Sequence, residues 1–213
     1  MISVIGGAYT SYPEQFEKLT NTAKKFGVPL TIIGEGRGYP DIPTAIDEAV
    51  SAVNSAQDYV ILTDTYDTLF CRWDADEVIS LIDAEPSGLL ISTEASCWPP
   101  GPWCAAYKNE RYINGGQLCG RREAVAELLR KIRDYEPVSG GSTQEAMHVL
   151  YAQGYPMGLD FCEIFQSMSG AGSKSVAWSG GRVVNEQFFS LPMLMHWNGR
   201  TIGIDEWYAR VMA

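Results

Sequence analysis

A short apolar run that ends in two acidic side chains constrains the fold of this chain more than any other stretch. Residues 59–62 are bulky and rich in β-formers, a composition that predicts a buried strand. Asp64 and Asp67 follow it directly. Ligands of open α/β sheets bind beyond the carboxyl ends of the strands, so we expect both carboxylates at that edge. Two carboxylates suit Mg²⁺ or Mn²⁺, which prefer oxygen ligands. Positions three apart in a straight strand face opposite ways, so the chain must turn after Asp64 for both carboxylates to reach one ion. The alternative is that Asp64 caps a turn and Asp67 is solvated.

Strands and helices alternate around this run. Apolar spacing predicts strands over residues 1–5, 29–33 and 59–63, with helices over 13–26 and 44–56 between them. This order implies parallel strands joined by right-handed crossovers. Further along we expect helices over 74–84, 121–135, from 144 onwards and over 204–213, strands over 88–92 and 191–195, a short strand broken by glycines over 112–120, and a hairpin over 176–184. The 213 residues therefore predict one α/β domain with a central, mostly parallel sheet flanked by helices.

The composition excludes several classes of protein. A net charge of −10 argues against non-specific binding to nucleic acid or anionic membranes, both of which favour a basic surface. No Walker A, GxSxG or GxGxxG motif is present. No run resembles a signal peptide or is apolar enough to span a membrane, and we therefore expect a cytoplasmic protein. The five cysteines are odd in number and lack CxxC spacing, so we expect reduced thiols rather than disulfides or a zinc site.

Glycines and a histidine at other strand ends are further candidates for ligand binding. Gly7, with Ala8 and Tyr9, allows close backbone approach to a nucleotide, or forms an ordinary strand–helix turn. His196 follows the last apolar strand, as Asp64 follows its own. One histidine with two aspartates is a donor set that Mn²⁺ accepts more readily than Mg²⁺ does.

Two tryptophans and a second histidine admit both a structural and a chemical interpretation. Residues 97–104 contain three prolines with Trp98 and Trp103, which predicts a rigid loop. The two indole rings either stack on a sugar or a base, or pack over the apolar core. A lone histidine within a helix, such as His148, is more typical of a core or surface position than of chemistry.

Five segments taken in order form a recognisable pattern. They are residues 62–67 (Leu-Thr-Asp-Thr-Tyr-Asp), 92–99 (Ser-Thr-Glu-Ala-Ser-Cys-Trp-Pro), 111–116 (Arg-Tyr-Ile-Asn-Gly-Gly), 159–171 (with Leu-Asp, Ile-Phe-Gln and Gly-Ala) and 196–199 (His-Trp-Asn-Gly). This pattern resembles the glycosyltransferase domain of the procollagen lysyl hydroxylases and its viral and microbial relatives. The resemblance implies a single GT-A-like, Rossmann-like domain over residues 1–213. It also implies transfer of a hexose, glucose or galactose, from a UDP-sugar to a hydroxyl acceptor, with Mn²⁺ (or Mg²⁺) as cofactor.

The resemblance assigns roles to individual residues. Asp64, Asp67 and His196 would bind the metal, and Tyr66 would lie beside the uridine or ribose. Catalytic positions would be Asp64, Asp67, Trp98, Asn114, Gln144 and Asp160, with Trp98 on the sugar or acceptor side and Asp160 at the pocket floor. Donor binding would involve Gly7, Ala8, Tyr9, Tyr66, Asn114, Gly115, Gln166, Asn198, Gly199 and Arg200, with Asn198 and Gly199 at the diphosphate.

The chain departs from the family pattern in two places. The acidic run that often precedes the glutamine is here Ser-Gly-Gly-Ser-Thr over residues 139–143, without carboxylates, before Gln144. No lysine follows the glycine-rich loop, which leaves Arg37 or Arg200 as candidate cations at the phosphates. The missing acidic run motivates one alternative, a catalytically inactive UDP-sugar-binding module. A further alternative is a glycosyltransferase acting on a modified nucleic-acid base, against which the net charge of −10 speaks. The acceptor would be a glycan, a protein or a small molecule, with no membrane partner.

Overall fold

A computed structural model describes residues 1–9, 16–109, 111–135, 142–168, 174–198 and 203–213. Strands and helices alternate as predicted, and the mixed α/β class is confirmed. The strands are β1 (Ile2–Gly7), β2 (Leu30–Ile33), β3 (Tyr59–Asp64), β4 (Thr68–Phe70), β5 (Leu89–Glu94), β6 (Tyr112–Arg121), β7 (Gly158–Asp160), β8 (Phe165–Ser167), β9 (Val176–Ser179), β10 (Arg182–Asn185) and β11 (Leu194–His196). The helices are α1 (Glu17–Phe26), α2 (Ile42–Asn54), α3 (Ala75–Ala84), α4 (Arg122–Arg133), α5 (Thr143–Ala152) and α6 (Ile204–Met212), with a short 3₁₀ helix over Pro102–Ala106.

The main sheet has six strands in the order β2-β1-β3-β6-β5-β7. Strand β1 pairs in parallel with both β2 and β3, as the predicted crossovers require. Strand β6 runs antiparallel to β3 and β5, whereas β5 and β7 are parallel. The strand β3 that carries the acidic residues is therefore interior, and its carboxyl end lies beside the middle of β6.

The predicted irregularity at the glycines of residues 112–120 is present, but the strand that contains them is longer than expected. Strand β6 spans ten residues. It pairs with β3 through residues 117–121 and with β5 through residues 112–113 and 118–120, so neither register includes Asn114, Gly115 or Gly116. The register with β5 shifts here, between Ile91 and Thr93, as in a β-bulge. The glycines also allow close packing, described below.

The two faces of the sheet bury separate apolar cores. Val60 and Ile5 belong to the core formed with α2, α4 and α5. Their neighbours Ile61 and Val4 belong to the core formed with α1 and α3. Adjacent side chains of a strand point to opposite faces, so the apolar run of β3 supplies both cores.

Capping residues fix helix starts that the apolar pattern places less accurately. Helix α2 begins at Ile42, two residues before the predicted start, because the side chain of Asp41 accepts a hydrogen bond of 2.8 Å from the backbone of Thr44. Pro43 fits this first turn, where no intrahelical N–H bond is required. The predicted start of the first helix at residue 13 lies outside the described residues.

A second sheet of three strands, in the order β4-β11-β8, packs beside the main one. Strand β11 pairs antiparallel with β4 and parallel with β8. The predicted hairpin forms from β9 and β10. Helix α6 packs on α1: Tyr208 accepts a hydrogen bond from Asn21, and Lys25 donates to the backbone of Val211. Its first residue, Ile204, shares an apolar cluster with Leu69 of β4 and Met195 of β11.

The expectation of five reduced cysteines is wrong. Cys97 and Cys104 form a disulfide that closes the proline-rich loop, while Cys71, Cys119 and Cys162 are free. A spacing of seven residues matches no sequence motif; the turn through the prolines and the 3₁₀ helix brings the two Cα atoms to 6.0 Å. Separately, none of the described helices is long and apolar enough to cross a membrane.

Candidate functional site

The register of the small sheet brings together two side chains that are far apart in the sequence. His196 pairs with Thr68, the residue that follows Asp67. The backbone N–H of Trp197 donates to the carbonyl of Asp67 at 2.9 Å, which extends this pairing past the strand end. Asp64 ends β3, and the chain turns between it and β4. The turn after Asp64 that both carboxylates need in order to reach one ion is therefore present.

Asp64, Asp67 and His196 form a compact cluster of three donors. Nε2 of His196 lies 3.4 Å from Oδ2 of Asp64 and 3.2 Å from Oδ1 of Asp67. One ligand atom from each residue lies within 4.8 Å of the others. The Asp67 and His196 side chains are buried, whereas that of Asp64 is 58% exposed and leaves the cluster open on one side. Among the described residues these three form the group with the spacing of a metal site.

The donor set fits a divalent cation on two observations. Nε2 of His196 is buried and makes no hydrogen bond of normal geometry within the described chain. Its other ring nitrogen, Nδ1, is 3.0 Å from Oδ1 of Asn114, which orients the imidazole so that Nε2 faces the carboxylates. Two carboxylate oxygens and one imidazole nitrogen are a set that Mn²⁺ accepts.

The charge of the cluster supports the same assignment. Burial acts to lower the pKa of His196, but the carboxylates of Asp64 and Asp67 outweigh it and raise that pKa to about 9. Without a cation, a proton on His196 thus balances part of the negative charge. A divalent cation would take the place of that proton and satisfy all three groups.

Gly116 of β6 makes room for this cluster. A Cβ at this position would overlap the imidazole of His196 and would lie 2.5 Å from Oδ2 of Asp64. The preceding Gly115 is close to Gln144 in the same way: a Cβ there would come within 2.8 Å of the glutamine Cβ. Paired glycines in β6 therefore allow the strand to pass directly beside the cluster of Asp64, Asp67 and His196.

A hydrogen-bond network centred on Glu94 surrounds the cluster. Oε1 of Glu94 accepts from Asn114 at 3.3 Å and from Gln144 at 2.8 Å, and Oε2 accepts from Asn198 at 3.0 Å. Gln144 in turn accepts from the backbone N–H of Gly115 at 2.8 Å. The predicted residues Asn114, Gly115, Gln144 and Asn198 thus form one assembly. Its central carboxylate was absent from the predicted set, although its place after an apolar strand, like that of Asp64, was a usable signal.

An apolar cavity of about 150 Å³ opens beside Asp64. Its wall includes Gly7 and Tyr9 from the end of β1 and Gly115 from β6. The cavity is further lined by Ile33, Ala45, Ile46, Ala49, Leu62, Leu129, Ile132 and Met147, which belong to β2, β3, α2, α4 and α5. This is the position at which ligands bind in open α/β sheets, beyond the carboxyl ends of parallel strands.

Tyr9 is held firmly at this cavity. Its hydroxyl donates to Glu48 at 3.1 Å, and its ring packs edge-on against Tyr39 with centroids 5.4 Å apart. Burial and the Glu48 carboxylate raise the pKa of Tyr9 to about 12, so its hydroxyl remains a donor at neutral pH. Arg37, considered above as a phosphate contact, instead forms a bidentate pair with Glu48 at 2.6 and 2.7 Å.

Tyr66 and Ala8 occupy different environments near the cluster. Tyr66 lies in the turn between Asp64 and Asp67 and is 37% exposed. Burial, followed by the charge of Asp64, raises its pKa. Ala8 is fully buried, and its backbone N–H donates to the carbonyl of Ile33 at 2.9 Å. Tyr66 therefore has surface that a ligand can reach, whereas Ala8 is buried and its backbone N–H donates to β2.

Asp160 and Gln166 make structural contacts. The buried carboxylate of Asp160 accepts from the backbone N–H groups of Glu163, Ile164 and Phe165. Burial raises the pKa of Asp160 to about 7, although these backbone donors oppose the shift. Gln166 is fully buried and accepts from Asn185 at 2.6 Å. Neither residue is a member of the cluster formed by Asp64, Asp67 and His196.

The proline-rich loop reaches the site through its backbone. The carbonyl of Trp98 accepts from Gln144 and lies 3.0 Å from Nε2 of His148, while the indole ring is 66% exposed. His148 is buried and also contacts the hydroxyl of Tyr107 at 2.6 Å, which agrees with its structural interpretation. The ring of Trp98 is thus free to contact a ligand. Gly199 and Arg200 lie outside the described residues.

Comparison with known proteins gives the fold and the family of the chain. A solved structure described as the crystal structure of a glycosyltransferase involved in the glycosylation of the major capsid of PBCV-1 superposes with a TM-score of 0.60. The match covers 98% of each chain at 12% sequence identity, which shows a shared fold. No curated protein matches the sequence. The family model of the PLOD GT domain matches residues 3–203, and the chain therefore belongs to this family of glycosyltransferase domains.

Proposed function

We propose that this glycosyltransferase moves a hexose, glucose or galactose, from a UDP-sugar to a hydroxyl acceptor, with Mn²⁺ (or Mg²⁺) bound by Asp64, Asp67 and His196. One observation carries the proposal: Asp64 belongs both to the three-donor cluster and to the wall of the apolar cavity. A ligand with a flat, partly apolar base and a negatively charged diphosphate matches these two adjoining environments. The metal contributes Lewis-acid stabilisation of the charge that develops on the leaving diphosphate.

The remaining residues act by binding and orientation. The apolar wall and the ring of Tyr9 hold the nucleoside, and Tyr66 covers it from the turn above the metal ligands. Asn114 fixes the imidazole of His196, and Gln144 holds the backbone of Gly115 beside the cavity. Positions fixed by hydrogen bonds before the donor arrives reduce the reorganisation that the transfer step requires.

Calorimetric titration of UDP, with and without Mn²⁺, tests the proposal directly. Wild-type protein is expected to bind UDP at least about tenfold more tightly with Mn²⁺, because Asp64, Asp67 and His196 would hold a cation whose charge attracts the diphosphate. Asp67→Asn keeps the side-chain shape but removes a charged metal ligand, and it should abolish this increase. Asp76→Asn is the matched control, since Asp76 is exposed on α3. UDP affinity that does not depend on Mn²⁺ in the wild type contradicts the metal assignment.

Turnover separates an enzyme from the two alternatives. Hydrolysis of UDP-glucose or UDP-galactose in the presence of Mn²⁺, lost in Asp64→Asn, supports the proposed transferase. Tight UDP binding without hydrolysis or transfer would support a binding module that has kept the fold. Gel-shift measurements at low salt test the third possibility, because a protein acting on nucleic-acid bases should bind DNA or RNA there.

A further inference from the structure

A second and larger cavity, of about 600 Å³, lies next to the Glu94 network. Ala95, which follows Glu94, lines it, and so does Tyr112, the strand partner of Glu94 in β6. Most of the rest of its wall comes from Arg111, Phe161, Gln187 and Phe188. Unlike the apolar cavity beside Asp64, this one contains no member of the metal-binding cluster. It is a separate space that adjoins Glu94 through Ala95 and Tyr112 of its wall.

Arg111 is the notable residue in this wall. It is only 7% exposed. Its hydrogen bonds run from one terminal nitrogen, Nη2, to the backbone and hydroxyl oxygens of Thr93 at 3.4 and 3.3 Å and to Sγ of Cys162 at 3.0 Å. Nε is buried and has no acceptor among the described residues. No ion pair joins Arg111 to any carboxylate within the part of the chain that the structure describes.

The groups around Arg111 do not neutralise its charge. Burial raises the pKa of Cys162 to about 12, so its sulfur is a neutral thiol at physiological pH. The nearby carboxylate of Asp160 is occupied by backbone N–H groups of residues 163–165. The ring of Phe188 lies 5.4 Å from the guanidinium carbon and offers a weak cation–π contact. A buried charge is costly unless an anion pairs with it, and guanidinium geometry suits a carboxylate especially well.

Aromatic rings and a strained backbone accompany this arginine. Phe161 and Phe188 pack with ring centroids 6.2 Å apart and give the cavity an apolar side. Cys162, which contacts Arg111, has a φ of 66°, a left-handed conformation that non-glycine residues rarely adopt. Such strain persists where the surrounding structure fixes it, as at binding sites. The cavity therefore combines an arginine that has no ion pair in the described part of the chain with rings on which the C–H face of a sugar can pack.

We propose that this cavity binds the acceptor of the transfer reaction, and that the acceptor is a sugar bearing a carboxylate, which pairs with Arg111. This inference rests on the proposed function, because it assigns the second substrate of the same reaction. It explains why a chain with a net charge of −10 keeps a buried arginine that has no acidic partner among the described residues.

Titration of D-glucuronate, D-glucose and inorganic phosphate into the full chain tests the acceptor class. A charge-assisted pair with Arg111 should make glucuronate bind at least about tenfold more tightly than glucose, which has the same ring without the carboxylate. Equal affinity for the two sugars, no detectable binding of glucuronate, or binding of phosphate alone would each overturn the inference.

Two substitutions locate the binding. Arg111→Lys keeps the charge but loses the planar donor group, and it should weaken glucuronate about tenfold. Because Arg111 is buried, Gln187→Glu provides a second variant at an exposed position of the cavity wall, where the new carboxylate competes for the guanidinium. Gln153→Glu adds the same charge at an exposed position outside the cavity and should leave glucuronate binding unchanged. Glucuronate affinity that is unaffected by both cavity variants would contradict the site.

Separate measurement of UDP binding distinguishes failure of this inference from failure of the proposed function. UDP that binds with Mn²⁺ while glucuronate does not would leave the donor site in place and remove the acceptor assignment. Glucuronate that binds while UDP does not would retain an anion-binding cavity, but the acceptor role would be lost.

Discussion

Oδ1 of Asp67 lies 3.2 Å from Nε2 of His196, and the pairing of β4 with β11 sets this distance. Thr68 faces His196 in the antiparallel register, and the backbone of Trp197 donates to the carbonyl of Asp67. Main-chain hydrogen bonds at the end of the small sheet therefore hold Asp67 beside His196, while Asp64 is held at the end of β3 in the main sheet. Sites supported in this way are held more closely to one geometry than sites on mobile segments.

Gly116→Ala should disable the metal site without changing any ligand. A Cβ at this position would overlap the imidazole of His196 and approach Asp64, so these side chains must move apart. We expect Mn²⁺ affinity to fall by about tenfold or more, a loss typical of misplaced metal ligands. Calorimetric titration of Mn²⁺ measures this directly.

Gly38→Ala is the control for that substitution. A Cβ at residue 38 would meet no atom within 4 Å, so both Mn²⁺ affinity and unfolding should remain as in the wild type. Wild-type Mn²⁺ affinity in Gly116→Ala would mean that the cluster of Asp64, Asp67 and His196 is not where the metal binds.

Gln144→Ala should lower both stability and UDP-sugar hydrolysis. The side chain bridges the N–H of Gly115 and the carboxylate of Glu94, and its loss removes the acceptor of that N–H and one of the donors to Glu94. A cost of about 1–3 kcal/mol in the free energy of unfolding is expected from such groups. Urea denaturation gives the stability, and hydrolysis assays give the rate. Gln153→Ala, an exposed change near the end of the same helix, should alter neither.

The sequence was sufficient to predict local features of the fold. The apolar run before Asp64 predicted an interior strand, and the residues after two separate strands predicted Asp64, Asp67 and His196 as partners; the structure brings these three together. Such predictions succeed because periodicity and strand-end chemistry are encoded within short windows of the chain. Whether the cluster binds Mn²⁺ remains a prediction for titration.

Features that depend on distant contacts could not be predicted. The antiparallel insertion of β6 follows from pairing with β3 and β5, and no local pattern in residues 112–120 indicates direction. The Cys97–Cys104 disulfide depends on the turn of a proline-rich loop. Glu94 becomes the centre of a network only because strands β5, β6 and helix α5 meet.

Removal of the disulfide should loosen the loop that carries Trp98. The bond joins residues seven apart, and a constraint on so short a loop contributes about 2 kcal/mol in the chain-entropy treatment. Cys97→Ser combined with Cys104→Ser should therefore lower the melting temperature by several degrees. It should also increase proteolysis near residues 97–104. Dithiothreitol should destabilise the wild type but leave the double variant unaffected; equal effects on both would contradict this account.

The buried carboxyl of Asp160 should make stability fall as pH rises towards neutral. Burial raises its pKa to about 7, whereas an unfolded aspartate has a pKa of about 3.9. Between these values the folded state binds more protons than the unfolded state, so its stabilising contribution is complete below about pH 4 and is lost as pH rises through 7. A shift of about three units corresponds to roughly 4 kcal/mol across this window.

Asp160→Asn cannot titrate and provides the comparison. Urea denaturation from pH 4 to pH 8 should show a stability advantage of the wild type over Asp160→Asn that shrinks as pH increases. An advantage that grows with pH would mean that the backbone N–H groups of residues 163–165 outweigh burial and hold the carboxylate ionised.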